Sequence, residues 1–391
     1  MANTILTATA VTREALRVLH QKLNFVGTIT RDYDDRFAHS GAKIGDTLKI
    51  RLPNQYKVRT GAALSTNPPD LDTTESSVDL RVQTQKGVDL NFTSIDLTLN
   101  LDDFSERILE PAMSVLAANI EADAMNMYKD VWNQVGGATN FAKVLQARKV
   151  LVDNLAPLNA RTCNLNTQDN VDLVSELKGL FNDKTTISKQ NREGFMGRTA
   201  GFDFMENTLW PAHPRGPTTG SVVVNGAGQT AATLTVSGGT GAPAAGDVIT
   251  IGGVFRVHPE TKQSTGVPQS FVVGAGATAT SYPISPAIVT SGAAQNVSGS
   301  PAASAPVTIA GTASVAHGLS MAYQKGAFAF ATADMVMPRG VDFASREVFD
   351  GVSMRIVRQY DINSDKFPCR LDVLYGFKTI RPQLACRLAN V

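Results

Sequence analysis

Charge is nearly missing from one long stretch of this chain. Between Pro217 and Ala316, 100 residues carry four formal charges (Asp247, Arg256, Glu260, Lys262), whereas the other 291 carry 67. Gly, Ala, Ser, Thr and Val crowd that window, and the flanks read as ordinary charged, amphipathic sequence. Two differently built parts share the chain, one set inside the other. Net charge is +1, which excludes the global basic field of a nonspecific nucleic-acid binder and the acidic field of a solvating tail. Cysteine is scarce as well: Cys163, Cys369 and Cys386 are odd in number, far apart, and placed where the pattern buries them. Inert thiols in a reducing compartment are expected, with no disulfide framework. No apolar run approaches the roughly 20 residues that span a bilayer as a helix. The opening MANTILTATAVTREALRVLH has no basic start, apolar block and cleavage site, so a secretory signal is not expected.

What is there divides by period. Residues 11–23 space Val11, Ala15, Val18 and Leu19 as a short amphipathic helix. From Asp46 to Thr60 and from Ser77 to Thr93 the period becomes two, with Lys86-Gly87 as a break, which predicts a ribbon of strands. Their connection, Thr60 to Ser76, contains Pro-Pro, Gly, Asp and Thr and almost nothing to bury, as in a projecting loop. Leu109, Met113, Leu116, Ile120, Ala124, Met127 and Val131 form one stripe on a long helix from Phe104 to Trp132, closed by Gly136-Gly137. Pro111 either kinks it or marks its first turn. Two shorter helices follow, Thr139 to Val152 with Thr139 as cap and Thr167 to Phe181. Inside the charge-poor window seven short strands alternate with Gly-rich turns, Gly252-Gly253 reading as a two-residue hairpin. Met354 to Ile362, Cys369 to Phe377 and Leu384 to Leu388 predict closing antiparallel strands.

Motifs for chemistry fail on context. Gly274-Ala-Gly-Ala-Thr-Ala279 follows a strand, yet Tyr282-Pro283-Ile-Ser-Pro286 cannot open the helix whose N-terminus would hold a pyrophosphate. Asp361, Asn363, Asp365 and Asp372 sit at calcium-loop spacing, but Lys366 stands where the sharp bend needs Gly, so a solvated turn is expected. Five histidines (His20, His39, His213, His258, His317) lie far apart with no paired Cys, giving zinc no support. No nucleophile elbow or phosphate-loop lysine occurs. The expectation is no catalytic residue, no cofactor and no metal. The ribbon cations Lys49, Arg51, Lys57, Arg59, Arg81 and Lys86 read as a solvated face or as a charged interface with a neighbouring copy.

Four short segments, in order and spacing, carry a resemblance: Asn166-Thr-Gln-Asp169 at a helix start, Ala200-Gly-Phe-Asp203 before the window, Gly246-Asp-Val-Ile-Thr-Ile-Gly-Gly-Val254 inside it, and Tyr375-Gly376 followed by Arg381-Pro382. Together they resemble the major capsid protein of short-tailed bacteriophages whose coat subunit carries an inserted β-barrel. The resemblance implies an α+β fold of the Hong Kong 97 type, with an inserted all-β barrel domain. On that pattern residues 1–45 are an N-terminal arm, 46–101 an extended loop with peripheral strands, and 102–136 a spine helix. Residues 137–216 and 317–391 are then axial and peripheral domain, and 217–316 is the insert. It also implies self-assembly into pentamers and hexamers of an icosahedral shell around double-stranded DNA, touched by weak nonspecific contact. Scaffolding and portal proteins and a decoration protein are the implied partners, without a membrane, and assembly takes place in the bacterial cytoplasm. Relatives can bridge capsomers through charges in an insert loop. The corresponding Asn225-Gly-Ala-Gly-Gln-Thr230 has none, so no such bridge is expected. The competing readings are a secreted or surface β-rich adhesin, against which the missing signal stands, and a hydrolase with a carbohydrate-binding insert, for which no nucleophile can be named.

Overall fold

The computed structural model describes residues 8–31, 47–56, 58, 61–62, 75–93, 110–177, 197–349, 351–363 and 366–391. The chain divides into two compact units, one of residues 1–50, 78–125 and 328–378, the other of residues 51–77, 126–327 and 379–391.

The first unit sets three helices, α1 (Ala8–Lys22), α2 (Phe25–Thr28) and α3 (Glu110–Met125), with a sheet of long antiparallel strands. Phe343–Phe349, Val352–Arg358 and Lys366–Thr379 pair in sequence, and Thr84–Thr93 runs along Lys366–Tyr375. The strand Thr84–Thr93 passes straight through Lys86-Gly87, and the break in the ribbon falls at Val82-Gln83 instead. Gly87 is needed there for room: a Cβ would lie 2.5 Å from both the Asp372 carboxylate and the Leu371 carbonyl. Thr47–Arg51 and Ser77–Arg81 form a separate two-stranded ladder that turns Leu48, Ile50 and Leu80 inward. On α3 the expected stripe is real, with Met113, Leu116, Ile120 and Ala124 buried. Its Glu121, also buried, accepts the backbone N–H groups of Phe25 (3.0 Å) and Val26 (2.9 Å), donors that a helix start leaves unpaired.

The expected helix from Phe104 to Trp132 is shorter at its C-terminal end. After Met125 the chain tightens into a 3-10 turn, Asn126–Asp130, and then the short strand Gln134–Val135, so Gly136-Gly137 does not close a helix. Met127 and Val131 stay buried because a tighter turn still returns every third or fourth residue to one side. Pro111 stands in the first turn of the described helix, where its missing N–H costs nothing.

The second unit holds two six-stranded sheets. Its mixed sheet runs Gln134–Val135, Ala385–Ala389, Leu319–Gln324, Arg161–Leu165, Phe202–Glu206, Arg198–Thr199, with the pair Arg161–Leu165 and Phe202–Glu206 parallel. Helices α4 (Phe141–Asp153) and α5 (Thr167–Leu177) belong to this unit. The cap of α4 differs from expectation by one residue, Asn140 Oδ1 accepting from Lys143 N (2.7 Å), and at the start of α5 Asn166 Oδ1 accepts from Asp169 N (2.8 Å). Asn at these positions frees Thr139 for a bond elsewhere.

The charge-poor window forms a six-stranded antiparallel sheet in the order Val307–Ile309, Val248–Val257, Ser264–Val273, Ser281–Ser285, Thr233–Thr240, Thr219–Val224. Its two end strands meet, since Val224 N donates to Ala305 O (2.9 Å) and Ser304 N to Val224 O (2.9 Å). Val224, Leu234, Val236, Ile249, Phe271 and Tyr282 lead a buried apolar core of its own. Seven strands become six because Gly252-Gly253 is no hairpin. The strand Val248–Val257 continues through it with a register shift, and a Cβ on Gly252 would meet Pro306 at 2.8 Å. The real turn lies between His258 and Gln263.

Candidate functional site

Asp169 and Lys143 share the densest set of side-chain hydrogen bonds among the described residues. The Asp169 carboxylate is fully buried and accepts from Thr139 Oγ1 (2.8 Å), Asn390 Nδ2 (2.7 Å), Asn166 Nδ2 (2.9 Å) and the Ser320 hydroxyl. Beside it Lys143 Nζ donates to the carbonyls of Gly137 (2.7 Å) and Ala389 (2.9 Å) and to Asn390 Oδ1 (2.8 Å). Burial pushes this amine down to about 8, against the pull of Asp169. The hub ties α4, α5, the strand Leu319–Gln324 and the chain's last residues together. Each polar side chain in it is hydrogen-bonded to another member or to the backbone, as a structural network requires.

A second buried polar set lies where the six-stranded sheet leaves the mixed sheet. His213–Pro214 and Ala316–His317 pair as a two-residue antiparallel ladder, His213 opposite His317. The His213 ring lies between Tyr128 and Asp247, with Oη to Nδ1 at 3.0 Å and Nε2 to Oδ1 at 2.8 Å. The tautomer with its proton on Nε2 satisfies both bonds, Tyr128 O–H donating to Nδ1. Asp247 also accepts from Gly216 N (3.1 Å) and Ala244 N (2.8 Å). Arg387, fully buried, donates to Gly246 O (2.8 Å) and Val131 O (2.8 Å) and lies over the Tyr128 ring. Burial lowers its guanidinium to about 10. Arg256 completes the attachment with a 2.9 Å ion pair to Asp153 of α4. Two of the window's four charges, Asp247 and Arg256, therefore hold it to its own unit.

His317 makes this neck acid-sensitive. Burial first, then the neighbouring His213 and Arg387, hold its ring down at about 4, with Lys143 adding to them and Asp247 opposing. The unfolded chain takes up this proton near pH 6.5 and the folded chain does not, so stability present at pH 7 is lost as pH falls toward 4. Between pH 7 and pH 5 the loss from this ring is about 2 kcal/mol. Urea titrations at the two pH values check it: His317→Gln should remove that part of the slope, and equal slopes in the two proteins would disprove the assignment.

The cations of the ribbon scatter. Lys49, Arg51 and Arg81 are exposed, Arg51 lying 3.3 Å from Glu75. Lys86 bonds Asp123 of α3 at 2.7 Å, so its charge is used inside the first unit. Lys57 and Arg59, with most of the connection 60–76, lie outside the described residues. Within the second unit a cleft of about 600 Å³ is lined by Leu52, Asn54, Leu155, Ser291, Arg381 and Leu384. All three thiols are buried, which raises Cys386 to about 12 and Cys369 to about 11. Among the described residues no three His, Cys, Asp or Glu side chains are placed to hold a metal ion. Asp361 to Lys366 closes a strand turn, and Asp372 lies on the following strand against Arg355 and Arg370.

The pairing of His213 with His317 had no signal in sequence, since roughly a hundred residues separate them. By contrast, the four quoted segments all mark structural necessities. Asn166 to Asp169 is the hub. Ala200-Gly201 is a two-residue turn with φ of 53° and 83°, the left-handed pair that suits a twisted hairpin. Gly246-Asp247 is the neck, and Gly376 lies against the backbone of Arg81. The family model described as P22 coat protein, gene protein 5, matches residues 8–387. The chain belongs to the P22 coat protein family. A member of this family is a major capsid protein: it self-assembles into the icosahedral shell of the phage particle, and its role is structural, not enzymatic. The adhesin reading is not favoured. Similar solved structures include one from Mycobacterium phage Che8, with a TM-score of 0.47 and 12% identity over 94% of this chain and 90% of that one. The asymmetric unit of the bacteriophage PhiM1 mature capsid gives 0.43 and 11% over 92% and 84%. The CUS-3 coat protein I-domain gives 0.20 and 34% over 23% of this chain and 96% of that one. No curated protein is similar to the chain.

Proposed function

We propose that this P22-family coat protein is divided as the sequence suggests, into an arm (1–45), an extended loop (46–101), a spine helix (102–136) and an axial and peripheral body (137–216 and 317–391). The charge-poor residues 217–316 are an inserted barrel. The ladder His213–Pro214 with Ala316–His317 supports that boundary, because it lets the insert leave and return at one point. A separate apolar core supports a barrel able to fold on its own. The shell made of these subunits encloses double-stranded DNA, assembles in the bacterial cytoplasm with a scaffolding protein and a portal, and can take a decoration protein. Near-zero net charge suits this, since a strongly basic inner face would grip the genome at every copy.

The extended loop is the proposed contact between copies. The observation that carries it is the two-stranded ladder, a sheet of its own that turns Leu48, Ile50 and Leu80 toward its unit and Lys49, Arg51 and Arg81 outward. Lys57 and Arg59 join them in this proposal, and Lys86 contributes through its bond to Asp123. Replacing residues 61–74 by a short Gly-Ser linker, which keeps the Leu52 N to Ser76 O bond (2.8 Å), should leave the subunit folded and yield no closed shells. Circular dichroism and negative-stain microscopy read the two halves of this outcome. Shells of normal size and yield from the shortened chain would remove the loop from the interface.

A further inference from the structure

Helix α4 has two unlike faces. Val144, Ala147 and Leu151 are buried, while Leu145 and Val152, two turns apart on the opposite side, are 42% and 45% exposed. The apolar line runs on past the helix end to Leu155 (44%), which also lines the cleft, and Leu158 (68%). Four of the chain's exposed large apolar side chains thus fall within a short segment, where scattered single ones would be ordinary. The flanks of the line are cationic: Arg148 and Lys149 are both exposed, and Lys149 reaches Asp153 only at 3.9 Å. Helix α5 of the same unit offers the complement. Its exposed Val171 (60%) is followed by Asp172, Glu176 is taken by the Phe141 N–H at the start of α4 (2.6 Å), and no exposed cation lies among its described side chains.

We infer that the outer face of α4 is a contact with a second copy of this chain, whose α5 seats Val171 on the Leu145–Val152 line and sets Asp172 against Lys149. The inference rests on the shell-forming function, which surrounds each subunit with copies of itself and multiplies a modest contact many times. Charge complementarity selects α5 of a copy as the occupant. Placing α4 against α4 would oppose cations, which is unfavourable.

The test uses the full chain and charge exchange. Lys149→Glu alone and Asp172→Lys alone should each lower the fraction of chain sedimenting as capsomers and shells about tenfold, because like charges then face each other across the contact. The chain carrying both exchanges should recover at least half of it, since the pair is restored with its polarity reversed. Both side chains are at the surface, so thermal unfolding should shift little. If a single variant loses its fold, Val171→Gln, exposed and uncharged, replaces it and should likewise reduce assembly. Normal assembly of the single variants, or their failure without recovery in the double, would overturn the contact. If the unaltered chain fails to assemble under every condition, the shell function itself has failed, which separates the two.

Discussion

Asp169→Ala should destabilise the protein by about 3–5 kcal/mol, the loss expected when one member of a buried charged network is removed and the other is left behind. Four donors lose an acceptor at once, Thr139, Asn166, Ser320 and Asn390, of which Thr139 keeps Asn390 Oδ1 and Asn166 keeps the Leu319 carbonyl. Lys143 stays buried with its charge no longer opposed, and its amine should fall further below 8. Asp169→Asn tests the source of the effect. It keeps the shape and part of the bonding but removes the charge, so it should be milder than Ala and still cost more than a surface change. Urea unfolding followed by fluorescence decides the matter. A loss below about 1 kcal/mol for Ala, within the range of an ordinary neutral hydrogen bond, would mean that the hub is not a unit. Because the hub gathers α4, α5 and the last strand, its loss should also cut the yield of soluble subunit in the cell.

Gly376→Ala should be nearly as severe in the other unit. A Cβ there would lie 2.0 Å from the carbonyl oxygen of Arg81 and 2.8 Å from its carbon. These are backbone atoms, so no side chain can swing away, and the ladder Thr47–Arg51 with Ser77–Arg81 must separate from the strand Lys366–Thr379. Overpacking of this kind costs about 3 kcal/mol or more when the neighbours cannot relax. Hydrogen exchange is the sharper readout: amides of residues 78–82 should lose protection while those of the second unit keep theirs. Unchanged protection at 78–82 would show that the strand accommodates a methyl group after all.

How far these features could be read in advance depended on burial geometry. The stripe Met113 to Val131 was visible because that face is buried, and the period of two in Thr84–Thr93 appears as half-buried residues 84, 86, 88 and 90 alternating with exposed ones. The strands Arg161–Leu165 and Phe328–Thr332 went unread, because all five residues of each are buried and alternation is lost when both faces are covered, whereas the alternation of Leu384, Cys386 and Leu388 did mark the strand Ala385–Ala389. The cap of α4 slipped by one place where two capping residues stand together, Thr139 with Asn140, since local sequence alone does not say which oxygen is free. Gly252-Gly253 misled for a related reason. Glycine serves a tight turn and a close approach equally, and only Pro306 across the sheet distinguishes them. The hub was flagged through Asn166 to Asp169, yet its partners Thr139, Lys143, Ser320 and Asn390 come from three other places in the chain. The neck was legible only in part, through Gly246-Asp247.

That neck has a consequence for grafting. His213 and His317 are paired neighbours on adjacent strands, so the surrounding sheet experiences the whole excursion between them as the closure of a hairpin. Loop length then matters little, each doubling adding only about 0.6 kcal/mol. A foreign domain whose two ends lie one strand spacing apart would fit the same socket, provided it brings a carboxylate for His213 and a carbonyl for Arg387. A bare two-residue turn would close the chain equally well and leave His213 Nε2 and Arg387 Nη1 without the partners they have here.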